Sequence, residues 1–133
     1  MPSFSSRSQE KLDTCHPDLI RLFKEVVKHY DCTILEGRRS FKRQEKLFAE
    51  GKSKTMNSKH LSNPSIAVDV APYPIDWDDM QRFYMFVGIV RGVAATMDIN
   101  VRCGADWDGD LTVKDQNFHD LPHFELIDNH TSS

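Results

Sequence analysis

Residues 66–71 read Ile66-Ala-Val-Asp-Val-Ala71, five apolar side chains interrupted by one carboxylate. An apolar run of this length, rich in valine and isoleucine, is a buried strand. Burying a charge is costly unless a cation meets it, so Asp69 calls for a positively charged partner. Upstream, residues 52–65 are polar and turn-rich and read as a loop that carries His60. Before that loop, Ser40 is a suitable N-cap for a helix through Glu50, and Gly51 a suitable stop. Cys32-Thr-Ile-Leu35 reads as a short strand ending at Gly37. Leu19, Leu22, Phe23, Val26, Val27 and Tyr30 recur at three- and four-residue steps, the buried stripe of a helix with Pro17 in its first turn. Downstream, a long helix is predicted from Asp76, its N-cap, to about Met97, with Met80, Phe83, Tyr84, Val87 and Ala94 inward. Asn100-Val-Arg-Cys103 and His123-Phe-Glu-Leu-Ile127 read as further strands. The pattern is an α+β fold, a small and mostly antiparallel sheet packed with about three helices.

A chain of 133 residues, 28% charged and 39% apolar, suits a single domain over 1–133 with an ordered core from about 8 to 127. The net charge of -3, from 17 basic and 20 acidic side chains, argues against nucleic-acid binding, which depends on neutralising phosphates. Basic residues gather between Arg38 and Lys59, where they either face an anionic substrate or are simply solvated. No run approaches membrane-spanning length, and MPSFSSRSQEK lacks the apolar stretch of a secretory signal, so cytoplasmic synthesis without membrane insertion is expected. A monomer is expected. Cys15, Cys32 and Cys103 are odd in number with no C-x-x-C pair and read as reduced thiols, Cys32 and Cys103 within strands.

Two short segments flank the chemistry around Asp69. SKHLSNPSIAVD contains Ser58 and His60, and HDLPHFEL contains His119, Asp120, His123 and Glu125. Two imidazoles and a carboxylate form a common catalytic zinc set, with the fourth position open to water. His123 and Glu125 are two apart on a strand and share a face, so Glu125 can orient His123. His119 is an alternative ligand or a loop residue near the site. Asp120, across a bend set by Pro122, is placed to act on the attacking water. Leu121 precedes a proline, which disfavours a helical arrangement there. Ser58 either hydrogen-bonds beside the metal or stabilises the loop. Further on, Asp106, Asp108, Asp110 and Asp115 lie in a glycine-containing loop that either gathers Ca²⁺ or forms a solvated acidic turn. Gly109 does not fall at the glycine position of an EF-hand.

LEGRRSFKRQ, GKSKTMNSKHLSNPSIAVDVAPY, GADWDGD and LPHFEL together resemble the phage L-alanyl-D-glutamate peptidases. These belong to the superfamily of D-alanyl-D-alanine carboxypeptidases and vancomycin-resistance dipeptidases, with its hedgehog-like zinc peptidase fold. The matches run in order from about Ser8 to Ile127. The resemblance implies zinc held by His60, Asp69 and His123, with Asp120 as catalytic carboxylate. It places Arg39 on a substrate carbonyl or carboxylate, where the competing reading is a surface ion pair; Arg38 faces solvent. The family's usual H-x-x-G-x-A-x-D is here two residues longer, with Asn63-Pro-Ser65 replacing the glycine turn, so a remodelled loop is expected. The implied function is a zinc-dependent endopeptidase cutting L-alanyl-D-glutamate in peptidoglycan stem peptides for phage lysis. It would act in the periplasm or wall after release by a separate membrane-permeabilising factor, without a wall-binding domain. The alternatives are a D-alanyl-D-alanine carboxypeptidase or dipeptidase, and a non-catalytic zinc-stabilised binding module.

Overall fold

The computed structural model describes residues 2–52, 58–104 and 120–127, with Asp120 described by its backbone alone. Strands β1 (Cys32–Glu36), β2 (Ala67–Pro72), β3 (Val101–Gly104) and β4 (Asp120–Leu126) form one sheet in the order β1-β2-β4-β3. Every pairing in it is antiparallel. The helices are α1 (Ser6–Leu12), α2 (Pro17–His29), α3 (Phe41–Ala49) and α4 (Met80–Thr96), and Lys59–Leu61 forms a short 3-10 turn. No described helix is long and apolar enough to cross a membrane.

Strand alternation sends Val68 and Val70 of β2, and Phe124 and Leu126 of β4, to one face, where they are fully buried or nearly so. Leu19, Leu22, Phe23 and Val26 of α2 join them in the core, with Phe83, Phe86 and Val90 of α4. Phe124 meets Phe23 and Phe86 edge-on, with ring centroids 5.4 Å and 6.0 Å apart, the arrangement that aromatic quadrupoles favour. Local chemistry sets the helix ends. The Ser40 hydroxyl accepts the Arg43 N–H at 3.1 Å and starts α3. Gly51, at φ 75°, stops it: the Gly51 N–H reaches the Phe48 carbonyl and the Lys52 N–H the Leu47 carbonyl.

Among the described residues there are four helices where about three were expected. The extra one, α1, has only Leu12 as a buried apolar residue and so carries no stripe to read. Its Ser8 hydroxyl accepts the Ile34 N–H at 3.1 Å, so α1 covers the outer edge of β1. Helix α4 begins at Met80, not after Asp76. Asp79 caps it by accepting the Arg82 N–H, while Asp76 accepts the Asp78 N–H in the preceding turn. Met80 was expected inward and is 45% exposed, because side chains at a helix start tilt back beyond the packed turns. Strand β4 begins at Asp120 and runs through Pro122, not from His123. Opposite β3, Cys103 pairs with Phe124 but Gly104 with Asp120, so Pro122 lies in a bulge that requires no N–H from it.

All three cysteines are buried and free. Burial pushes the Cys15 thiol up to about 11 and the Cys32 thiol up to about 12. In the folded protein at pH 8 a disulfide-exchange reagent is therefore expected to leave Cys15 and Cys32 unmodified over minutes. All three thiols should react at once in guanidinium chloride; rapid labelling of Cys15 or Cys32 in the folded chain would contradict this burial.

Candidate metal centre

The face of the sheet turned away from the aromatic core carries the polar residues. Asp69 on β2 stands in register with His123 on β4, and Glu36 on β1 stands opposite Asp69. His60 arrives from the 3-10 turn. The Ser58 hydroxyl caps that turn by accepting the His60 N–H at 3.2 Å, and the His60 carbonyl accepts the Arg39 N–H at 2.8 Å. The turn is thereby docked on the segment that follows β1. His60 Nε2 and His123 Nδ1 each lie 3.2 Å from the same atom, Asp69 Oδ1. The two rings stand 5.2 Å apart at 69°, and the three ligand atoms all lie within 4.8 Å of one another.

The far nitrogen of each ring fixes what the near one can do. His60 Nδ1 lies 2.7 Å from the Gly37 carbonyl, which can only accept, so Nδ1 carries the proton. His123 Nε2 lies 2.7 Å from Glu125 Oε1. Burial alone would raise the Glu125 carboxyl, but His123 and Arg102 outweigh it and hold Glu125 below the usual range, an ionised acceptor. Arg102 Nη2 donates to Glu125 Oε2 at 2.8 Å. As neutral imidazoles, both rings thus aim a lone pair at Asp69. Were both rings to carry a second proton instead, their hydrogen bonds and charge would outweigh burial and hold the Asp69 carboxyl far below the ordinary range. Two nitrogen lone pairs and a carboxylate oxygen this close require a cation among them, either a metal ion or extra ring protons. The donor set therefore fits a metal. Side-chain exposure is 1% for His60, 9% for His123 and 17% for Asp69, so the cluster opens to solvent on the Asp69 side.

Arg39 lies beside this cluster, buried. Its Nε and Nη2 bind the two oxygens of Glu36 at 3.0 and 2.7 Å, and Nη1 donates to Gln44 Oε1 at 2.7 Å. Nη2 is also 3.7 Å from Asp69 Oδ2. Arg43 Nε donates to Glu36 Oε2 at 3.0 Å. Burial works against ionising Glu36, yet Arg39 and Arg43 hold its carboxyl below the usual range. The guanidinium of Arg39 is thus in a buried ion pair, not a surface one, and that pair holds it against the Asp69 carboxylate. Arg38 is exposed. Sequence reasoning had not singled out Glu36, Gln44, Gly37 or Arg102 as parts of the site. Asp120 is the first residue of β4, and its side chain lies outside the described residues, as do His119, Asp106, Asp108, Asp110 and Asp115 in full.

Over residues 2–127 the chain matches the family described as phage L-alanyl-D-glutamate peptidase. It is 29% identical over 135 residues to the L-alanyl-D-glutamate peptidase of Escherichia phage T5, spanning 93% of this chain and 97% of that protein. Its fold is similar to the crystal structure of the Serratia marcescens L-Ala D-Glu endopeptidase ChiX, with a TM-score of 0.79 and 28% identity. That likeness covers 99% of this chain and 96% of the other.

Glu125→Gln keeps the shape of the side chain but removes the charge that supports the His123 N–H. Metal affinity is expected to fall roughly 10- to 100-fold, the range for groups that orient a metal ligand. Equilibrium dialysis against Zn²⁺ measures it, and an unchanged affinity would remove Glu125 from this role.

Proposed function

The chain belongs to the phage L-alanyl-D-glutamate peptidase family, and from that premise we propose how its residues cleave the L-alanyl-D-glutamate bond of peptidoglycan stem peptides. The protein is a peptidoglycan endopeptidase of the endolysin kind. The observation that carries the mechanism is the convergence of His60 Nε2, Asp69 Oδ1 and His123 Nδ1. His60, Asp69 and His123 would hold the ion: both imidazole-to-carboxylate separations are 3.2 Å, and the three donor atoms all lie within 4.8 Å of one another. Two imidazoles, one carboxylate and no thiolate suit zinc at a catalytic site. Zinc bound there supplies a Lewis acid that polarises the scissile carbonyl and acidifies water toward neutral pH.

The remaining work falls to the chain's own side chains. Asp120, three residues before His123, takes the proton from the attacking water and returns it to the departing D-glutamate amine, so that no net proton is consumed. Of the five N–H donors of Arg39, one each on Nε, Nη2 and Nη1 serves Glu36 and Gln44. Among the described residues' hydrogen bonds Nη1 and Nη2 each retain one N–H, with Nη2 3.7 Å from Asp69 Oδ2, and through them Arg39 holds the substrate carbonyl oxygen or a substrate carboxylate. Because the guanidinium is anchored before substrate arrives, little reorganisation opposes the reaction. Glu125 keeps His123 in the tautomer that ligates, and Ser58 sets the backbone of His60. Such an enzyme meets its substrate at the wall, beyond the membrane, once a separate factor opens the way.

Digestion of purified peptidoglycan, followed by mass spectrometry of the new termini, tests this reading. Free alanine carboxyl ends and free D-glutamate amino ends are expected. Activity should disappear with a chelator and return with Zn²⁺. Release of terminal D-alanine would move the activity to the other end of the stem, and the absence of any product would leave a binding module. Asp120→Ala is expected to fold and retain zinc yet lose on the order of a hundredfold or more in turnover, the scale of general acid-base catalysis. Normal turnover in that variant would exclude Asp120 as the proton carrier.

A further inference from the structure

The Gly37–Arg38 peptide unit is gripped at both ends. Its carbonyl accepts His60 Nδ1–H at 2.7 Å, and its N–H donates to Thr14 Oγ1 at 2.8 Å. Thr14 lies in the turn between α1 and α2, and its hydroxyl donates its only proton to the Lys11 carbonyl at 2.6 Å. A lone pair of Thr14 is therefore left facing Arg38. The same turn is also tied to the segment that leads from His60 into β2. The Ser65 N–H donates to the Thr14 carbonyl at 3.0 Å, and the His16 N–H to the Ser65 carbonyl at 2.8 Å.

Gly37 admits no alternative packing. A Cβ there would sit 2.2 Å from the Lys11 carbonyl oxygen and 2.3 Å from Thr14 Oγ1. The first of these is a backbone atom and cannot swing aside. The missing side chain lets the end of β1 press against the α1–α2 turn, and that contact fixes the plane of the peptide. The plane in turn fixes which nitrogen of His60 carries its proton and where the other points.

We propose that Thr14 is a positioning residue of the metal centre: acting through the Gly37–Arg38 peptide, its hydroxyl fixes the tautomer and aim of His60 and so sets the affinity for the metal. The inference rests on the reading of His60 as a ligand. It extends the centre to a residue outside the candidate ligand set, in a turn between two helices that carry none of those ligands.

Zn²⁺ affinity of the full chain, measured by competition with a chromophoric chelator, tests it, alongside thermal unfolding of the metal-free variants. Thr14→Val keeps the volume but puts a methyl group in place of the acceptor that faces the Arg38 N–H. It is expected to weaken zinc binding about tenfold, the lower end of the range for groups that orient a ligand, while Thr14→Ser stays close to wild type. Thr14→Ala removes the hydroxyl without apolar bulk and should shift affinity in the same direction, which keeps the question answerable should Thr14→Val fold poorly. Equal loss in Thr14→Ser and Thr14→Val would assign the effect to packing and overturn the proposal. Wild-type affinity in Thr14→Val and Thr14→Ala, while His60→Ala loses zinc, would overturn the role of Thr14 and leave the ligand standing. Wild-type affinity in His60→Ala would remove the ligand itself.

Discussion

One carboxylate oxygen, Asp69 Oδ1, with an imidazole nitrogen on each side at 3.2 Å, is the constraint around which the molecule is built. With both far nitrogens protonated, the three atoms repel unless a cation lies among them. Much of the nearby structure prevents the rings from escaping that conflict. Turning either ring would break its hydrogen bond to the Gly37 carbonyl or to Glu125, both 2.7 Å long. In a buried setting a polar group left without its partner costs about 1–3 kcal/mol, and more if charged. The preorganisation of the cluster is therefore set by the groups behind His60 and His123 as much as by the two rings themselves.

The sheet gives these contacts a rigid base by dividing its labour between two faces. On β2, Val68 and Val70 enter the core while Asp69 faces the site; on β4, Phe124 and Leu126 enter while His123 and Glu125 face it. A slip of one residue between β2 and β4 would exchange the faces, burying the charges among aromatic rings and exposing the apolar residues. The register that protects the core is thus the register that aligns Asp69 with His123. The charges that remain on the site face are paired: Glu36 with Arg39 and Arg43, and Glu125 with Arg102. Breaking one partner of a buried pair is strongly destabilising even where the intact pair contributes little net stability. Arg39 therefore combines two roles, balancing Glu36 and presenting positive charge beside Asp69.

What the sequence made legible follows from periodicity and from misplaced charge. Asp69 stands out because five apolar neighbours surround it, and Glu125 because a two-residue step from His123 keeps it on the same face. The α2 stripe is visible because its apolar residues recur at helical spacing. Gln44 offers no such signal: it is a polar residue in the polar helix FKRQEKLFA, yet it is completely buried against Arg39. The part played by Gly37 lies in a carbonyl, which every residue possesses. The start of α4 was ambiguous because Asp76 and Asp79 are both competent caps, and only the fold determines which of them the helix uses. The start of β4 was hidden by Pro122, which reads as a strand breaker until the bulge opposite β3 is known.

The path from His60 to Asp69 shows how the two residues meet despite an altered spacing. Where the related motif turns on glycine, this chain uses a cis Asn63–Pro64 bond and serine hydroxyls. Ser62 Oγ lies 3.1 Å from the Lys59 carbonyl and 3.0 Å from the Pro64 carbonyl, and it accepts the Ile66 N–H at 3.0 Å. Ser65 Oγ accepts the Ala67 N–H at 3.2 Å and donates to the Ala67 carbonyl at 2.6 Å. The two serine hydroxyls thereby satisfy part of the loop's own backbone, while the turn between α1 and α2 bonds the Ser65 N–H and carbonyl. His60 is placed instead from the outside, by the Gly37 carbonyl against its ring and by the Arg39 N–H on its backbone carbonyl. Coordination depends on where donor atoms end up, not on the length of chain between them. A loop can therefore gain residues freely, provided the contacts that aim its histidine come from elsewhere in the fold.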